Sequence, residues 1–501
     1  MTIDPIPPTR PTATTTTTGR ATTPARLDGQ LGTGAIVFMV IAAAAPLTVI
    51  GGNVPLAVGS GNGAGAPVGF ALAAIILLVF SVGFVTMTPF VKEAGAFFSY
   101  VTAGLGSRLG LGSAFTALVA YTAIQVGVYG YLGWAVDDLV TFFGGPALPW
   151  WLYSFAVMAL VAVLGYRHID LSARVLGVAL ALEILVVVVL DVVIFATGGE
   201  SGIAVETFDP SIIFTGGLGV AVLFALTGFI GFEATAVFRD EARNPEKTIP
   251  RATYLAVIII GVFYAVSCWA LVTGVGAGNA VAVAQQTLAG EGNMLLDTAT
   301  EYLGPIMRDV IQVLLVTSLF ACVLSFHNVI ARYQFSLANK GALPAFLGHR
   351  SAKHHSPTRS SIVQTVTAAV VLAALALSGL DPLVGVFGSM AGVATVGMVL
   401  LMLTTSVAVF VFFLRRPSLA AGRAWGARVF PVLAVVGLIA AMALVLSNFT
   451  LITGGSVPVS VTLALIPAVA MLLGIVMGGR FRLDRETVET SEATSATPPA
   501  Q

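Results

Sequence analysis

The sequence predicts an all-α protein that crosses a membrane twelve times, and three observations carry that prediction. Hydrophobic residues make up 57% of the 501 residues and charged residues only 10%, where a soluble domain spends roughly a quarter of its residues on charge. The apolar residues fall in continuous runs close to the ~20 residues that cross ~30 Å of hydrocarbon. The basic residues collect on one side of the alternation that those runs define. No water-soluble fold hides so much apolar surface, so lipid must be the solvent.

Taken in order, the chain opens with a Thr- and Pro-rich stretch, 1–30, that has no apolar core and no small-residue cleavage site. It reads as a disordered cytoplasmic tail rather than a signal peptide. The apolar runs then lie at 33–58, 67–88, 111–136, 150–166, 171–197, 212–238, 252–275, 306–331, 361–379, 383–414, 429–447 and 456–477. Runs 33–58 and 383–414 are long enough to be tilted or broken. Outer-membrane barrel strands alternate over ~10 residues, and these runs do not alternate. A second polar tail, 479–501, closes the chain. The expected transporter domain therefore spans 31–478. With the N-terminus inside, all 24 Lys and Arg except Arg308 fall at the cytoplasmic side, which places both termini in the cytoplasm and the protein in the inner membrane. A net charge of zero argues against a nucleic-acid partner, and Cys268 and Cys322, both in apolar runs, build no disulfide framework.

Two runs carry helix breakers in lipid, where freed backbone groups need another partner. Run 1 contains Ala45-Pro46-Leu47-Thr48-Val49, then Gly51, Gly52, Asn53 and Pro55. Run 6 contains Gly216, Gly217, Gly219, Gly228 and Gly231. Taken singly, such residues are a kink or a close packing contact. The two runs are five crossings apart, an odd number that inverts the second copy, and matching breaks in inverted halves point to a transport site at the midplane. Amides near Leu47 to Val49 would bind a carboxylate there, and carbonyls of Phe224, Ala225, Leu226, Thr227 and Gly228 an ammonium.

Three stretches resemble the amino acid–polyamine–organocation (APC) permeases. They are Lys92 to Val101, the pair Gly228 to Ala234 with Glu241 to Ala252, and Ser325 to Pro344 with Asn328, Arg332 and Asn339-Lys340-Gly341. The resemblance implies a five-plus-five inverted repeat, 33–197 and 212–414, with two further helices at 429–477. It also implies a secondary transporter for amino acids, coupled to protons or sodium or run as exchange, with proton coupling favoured. A polyamine or other amine permease of the same fold, and a membrane nutrient sensor without transport, are the alternatives. Where the family often has Gly-[Ser/Thr]-Gly in the first break, this chain has Ala45-Pro46-Leu47-Thr48. Its aromatic gate position falls at Phe224 or Thr227.

Ionisable groups at membrane depth are functional candidates. Glu183 sits in the middle of run 5, where some members of the resembled family carry a coupling Lys; a proton carrier and a protonated structural acid are both consistent with it. For Glu233, near the inner end of run 6, the resemblance implies a role in tying helices together or sensing protons. Asp191 lies near the outer end of run 5, within reach of water by snorkelling. Tyr121, Gln125 and Tyr129 share one helix face, which in the resembled fold lines the substrate cavity, with interhelical hydrogen bonding the alternative. His327 and Asn328 face the interior if the family pattern holds. Metal-ligand spacings, H-E-x-x-H, G-x-x-x-x-G-K-[ST] and G-x-S-x-G are absent from the sequence, so ATP, metals, cofactors and enzymatic chemistry are not expected.

Overall fold

The computed structural model describes residues 31–91, 96–167, 173–214, 216–237, 242–349, 351, 356–453 and 456–478. The expected tails at 1–30 and 479–501 lie outside it, as do Lys92 to Gly95 and Glu241. Among the described residues the structure is helical without strands. An isolated parallel bridge, Leu31 to Ala242, holds the first described residues against the stretch before the helix at Pro245.

The principal helices are α1 (Thr33–Ala44), α2 (Ala66–Met87), α3 (Ala96–Leu105), α4 (Ser107–Phe142), α5 (Trp150–Arg167) and α6 (Ala173–Thr197). They continue as α7 (Leu218–Gly228), α8 (Pro245–Val275), α9 (Ala280–Ala289), α10 (Met294–Leu303) and α11 (Pro305–Asn339). The last are α12 (Thr358–Leu377), α13 (Ser389–Arg415), α14 (Phe430–Ser447) and α15 (Val457–Met477). Among the described residues nine helical stretches are long and apolar enough to cross a membrane. The difference from twelve has three local causes. Residues Thr33–Phe90 run as one broken 58-residue stretch, while Trp150–Tyr166 and Leu218–Gly228 are apolar but short. Run 6 shortens because its chain leaves the helix after Gly228. Run 10 is broken at its start: Asp381 caps the wide π-type turn Pro382–Gly388, accepting from the amides of Leu383, Val384 and Gly385, and that turn leads into α13.

Burial sorts the helices into an inner and an outer set. Every residue of α7 is buried, and most of α4 is too. By contrast α6, α14 and α15 keep apolar faces exposed, such as Leu182, Leu185 and Val192 on α6 or Val432, Val436 and Ile439 on α14. An apolar face on the outside is the face that lipid covers.

Small residues set the closest approaches, as expected where packing rather than water drives association. A Cβ on Gly474 of α15 would lie 2.6 Å from Gly112 Cα and 2.6 Å from the Leu111 carbonyl oxygen of α4. At Gly437 of α14 the nearest atom would be 3.7 Å away. Alanine is worth about 0.5–1 kcal/mol over glycine inside a helix, while forced overpacking costs about 1–3 kcal/mol, so the sign depends on space. Gly437→Ala is expected to hold or raise the detergent-solubilised melting temperature, and Gly474→Ala to lower it. Equal responses in thermal unfolding would show that the α4–α15 contact is not tight.

Candidate functional site

The first break begins where α1 ends. Ala45 has φ 47° and ψ 74°, the left-handed region, and among the described residues no other non-glycine has positive φ. Pro46 follows and has no amide hydrogen, so the chain turns and restarts as the short helix Pro46–Thr48. It then widens into the π-type turn Val49–Asn53, just ahead of Pro55, whose ring would crowd the carbonyl four residues back in a regular helix. Ala45, Pro46, Leu47, Thr48 and Val49 are all buried. The freed carbonyl of Ala44 accepts from the Tyr264 hydroxyl of α8 at 3.1 Å.

The amide of Leu47 has a carboxyl neighbour. Glu183 of α6, only 4% exposed, lies beside the Leu47 N–H and accepts a hydrogen bond from the Ser318 hydroxyl of α11 at 2.7 Å. Two nearby buried hydroxyls have no partner, Thr48 Oγ1 in the break and the Tyr131 OH of α4. Tyr131 OH points at the break: a Cβ on Gly51 would lie 2.7 Å from it.

The second break lies at the Gly228 and Gly231 end of run 6. Phe224, Ala225, Leu226, Thr227 and Gly228 are the last helical residues of α7, and the chain unwinds through 229–233, with Gly231 at φ 112°. The Phe224 carbonyl accepts from Asn53 Nδ2 at 2.8 Å, a bond that joins the two broken segments. Thr227 Oγ1 donates to the Leu223 carbonyl at 2.8 Å and lies 2.6 Å from Thr395 Oγ1 of α13. Gly228 faces Val49, where an added Cβ would lie 3.1 Å from the valine methyls. In the unwound stretch Glu233 Oε2 accepts from the Gly231 amide at 3.0 Å, and the Tyr121 hydroxyl donates to its other oxygen.

The structure divides the α4 face between two tasks. Tyr121 reaches Glu233, whereas Gln125 donates to the Val323 carbonyl at 3.2 Å and accepts from Gln364 of α12 at 2.7 Å. Tyr129 is buried beside Gln125. His327 is buried with Nε2 2.8 Å from Ser361 Oγ, and Asn328 is half-buried. Asp191 does not snorkel. It is buried and accepts from the Ser267 hydroxyl of α8 at 2.6 Å, because α8 packs over that face of α6 and closes the route to water. Ser318, Tyr264 and Tyr131 join the site without having been singled out from sequence, and Asn53 joins it after being named there only as part of the broken run. Of these only Asn53, a polar amide inside a broken apolar run, carried a local signal.

The family described as "Amino acid permease" matches residues 31–476 of this chain. The branched-chain amino acid permease BcaP of Bacillus subtilis is 24% identical over 335 residues, 62% of this chain and 68% of the relative. The L-methionine/branched-chain amino acid exporter YjeH of Escherichia coli is 29% identical over 192 residues, 38% of this chain and 44% of the relative. An uncharacterised transporter of Mycobacterium tuberculosis, Rv1979c, is 25% identical over 323 residues, 57% of this chain and 62% of the relative. The aligned parts thus span between under half and about two thirds of these relatives' lengths.

Three substitutions separate strain and structure from readiness to bind. Ala45→Gly removes a left-handed alanine that costs about 1–2 kcal/mol, partly offset by unfolded-chain entropy, and is expected to raise stability by about 1 kcal/mol. Tyr131→Phe deletes a hydroxyl with no partner and should be neutral or stabilising. Tyr121→Phe instead strands a buried carboxyl oxygen and should cost about 1–3 kcal/mol. Thermal unfolding in detergent checks all three, and a destabilised Tyr131→Phe would mean that its hydroxyl is structurally used.

Proposed function

The chain belongs to the amino acid permease family, and on that premise we propose that it carries amino acids across the cytoplasmic membrane by alternating access, coupled to protons. The observation that supports this reading most is the buried Glu183 carboxyl beside the Leu47 amide, in the short helix that starts at Pro46. A substrate carboxylate binds best to such amides. Substrate and Glu183 therefore compete for one donor. A proton on Glu183 weakens its hold on Leu47 and on the Ser318 hydroxyl, so proton uptake prepares the site for the substrate carboxylate. Reciprocal linkage then makes substrate favour the protonated carrier.

The unpartnered Thr48 and Tyr131 hydroxyls supply further donors and acceptors to the bound amino acid, and the carbonyl end of α7 faces its ammonium. Tyr121 and Gln125 are placed one layer out, as side chains that hold Glu233 and α12. Glu233 serves the cycle by fixing the unwound stretch after α7. Leu295 and Leu315 beside Gly51, with Val49 and Phe224, make the surroundings apolar. Together with the branched-chain substrates in the relatives' names, this favours a branched apolar side chain. Twelve crossings in a five-plus-five inverted repeat, with both termini cytoplasmic, complete the reading.

Substrate affinity should fall about tenfold per pH unit once pH exceeds the value at which Glu183 loses its proton, because one proton is then taken up on binding. Glu183→Gln removes that dependence. In proteoliposomes the variant is expected to keep counterflow exchange of leucine or isoleucine and to lose uphill uptake driven by a pH gradient. Intact, pH-driven uptake in the variant would remove Glu183 from the proton path. For orientation, the natural cysteines are both buried, so introduced ones report cleanly. Ser201→Cys is expected to react with an impermeant reagent from outside and Ser351→Cys only from inside, and the reverse would invert the topology.

A further inference from the structure

At the face of the bundle that carries Arg415, Arg416, Arg423 and Arg428, a cavity of about 380 Å³ opens between the end of α2, the start of α8 and the turn before α14. Its inner wall is apolar, with Val82 and Val85 of α2, and its rim carries two charges of opposite sign, Arg423 and Glu246. These two form no ion pair with each other or with another described residue. Arg423 is held in place by the Phe90 ring, 5.4 Å from its guanidinium carbon. Trp425, 70% exposed, stands at the mouth, and from it the exposed face of Val429, Leu433 and Val436 continues along α14.

A cation and an anion that face one space without meeting are satisfied together by a ligand with both signs. Exposed tryptophan marks the membrane–water interface, and an apolar outer helix face is where acyl chains lie. We infer that this cavity binds a zwitterionic phospholipid with a primary ammonium, of the phosphatidylethanolamine class. The phosphate lies on the Arg423 fork, the ammonium donates to Glu246, and an acyl chain runs along α14. This site is independent of the transport site, because none of its lining residues belongs to either helix break.

Headgroup chemistry provides the test. The full-length protein is reconstituted in vesicles of equal phosphatidylethanolamine, phosphatidylglycerol and phosphatidylcholine, and retained lipid is counted by native mass spectrometry. One charged contact at the interface is worth about 1 kcal/mol, or about fivefold. The wild type is therefore expected to retain phosphatidylethanolamine about fivefold over phosphatidylglycerol, which lacks the cation. It should also favour it over phosphatidylcholine, whose ammonium has no N–H. Arg423→Gln should lower retention of both phosphatidylethanolamine and phosphatidylglycerol. Glu246→Gln should keep lipid bound but erase the preference between them. Both side chains are exposed, so neither change threatens the fold. Equal retention in the wild type, or ratios unmoved by either variant, would overturn the site. Displacement by soluble glycerophosphoethanolamine at low concentration would assign the cavity to a free zwitterion and overturn the lipid reading.

Discussion

A helix broken inside lipid must find protein partners for the backbone groups it frees, since hydrocarbon offers none and each unsatisfied group costs several kcal/mol. Most of the polar chemistry in this molecule is an answer to that constraint. The Ala44 carbonyl takes the Tyr264 hydroxyl, the Leu47 amide lies beside Glu183, and the Gly231 amide takes Glu233. Asn53 spends its amide on the Phe224 carbonyl and so joins one broken segment to the helix that precedes the other. The helices around these points supply the donors and acceptors, and that sets which faces of α4, α6, α8 and α11 turn inward.

Partners that satisfy backbone groups can also be exchanged for a ligand, and the site proposed above depends on this. In that proposal the carboxyl beside Leu47 occupies the place a substrate carboxylate would take, with the unpartnered hydroxyls of Thr48 and Tyr131 close by. Binding then replaces one set of hydrogen bonds by another, and a proton decides which set is better. The same exchange at Glu233 would release the stretch after α7 from Tyr121. In the proposed cycle two adjacent segments, each beside one acid, open and close together, because packed interfaces switch between discrete arrangements.

The membrane class, the paired breaks and a buried acid at Glu183 were legible in sequence, because each follows from local composition: too little charge, Pro and Gly in apolar runs, an acid in the middle of an apolar run. The partners of those residues were not. Ser318 lies 135 residues from Glu183 in the chain and is one hydroxyl among many. Asp191 looked free to reach water from its place near the end of run 5, and only the packing of α8 shows it buried on Ser267. The second break falls at 229–233, directly after Phe224 to Gly228, and of the glycines in run 6 it is Gly231 that takes up the positive φ. Tyr121 and Gln125 share a face as their spacing predicts, yet one serves Glu233 and the other α11 and α12.

The account stands on a single shared donor, so proton uptake on binding is its most direct measure. Calorimetric titration of the solubilised protein with leucine or isoleucine, in buffers of different ionisation enthalpy, counts protons exchanged per substrate bound. Above the pH at which Glu183 is deprotonated, the account predicts uptake approaching one proton per substrate in the wild type and none in Glu183→Gln, with binding retained in both. Binding without proton uptake in the wild type, or equal uptake in the variant, would contradict it.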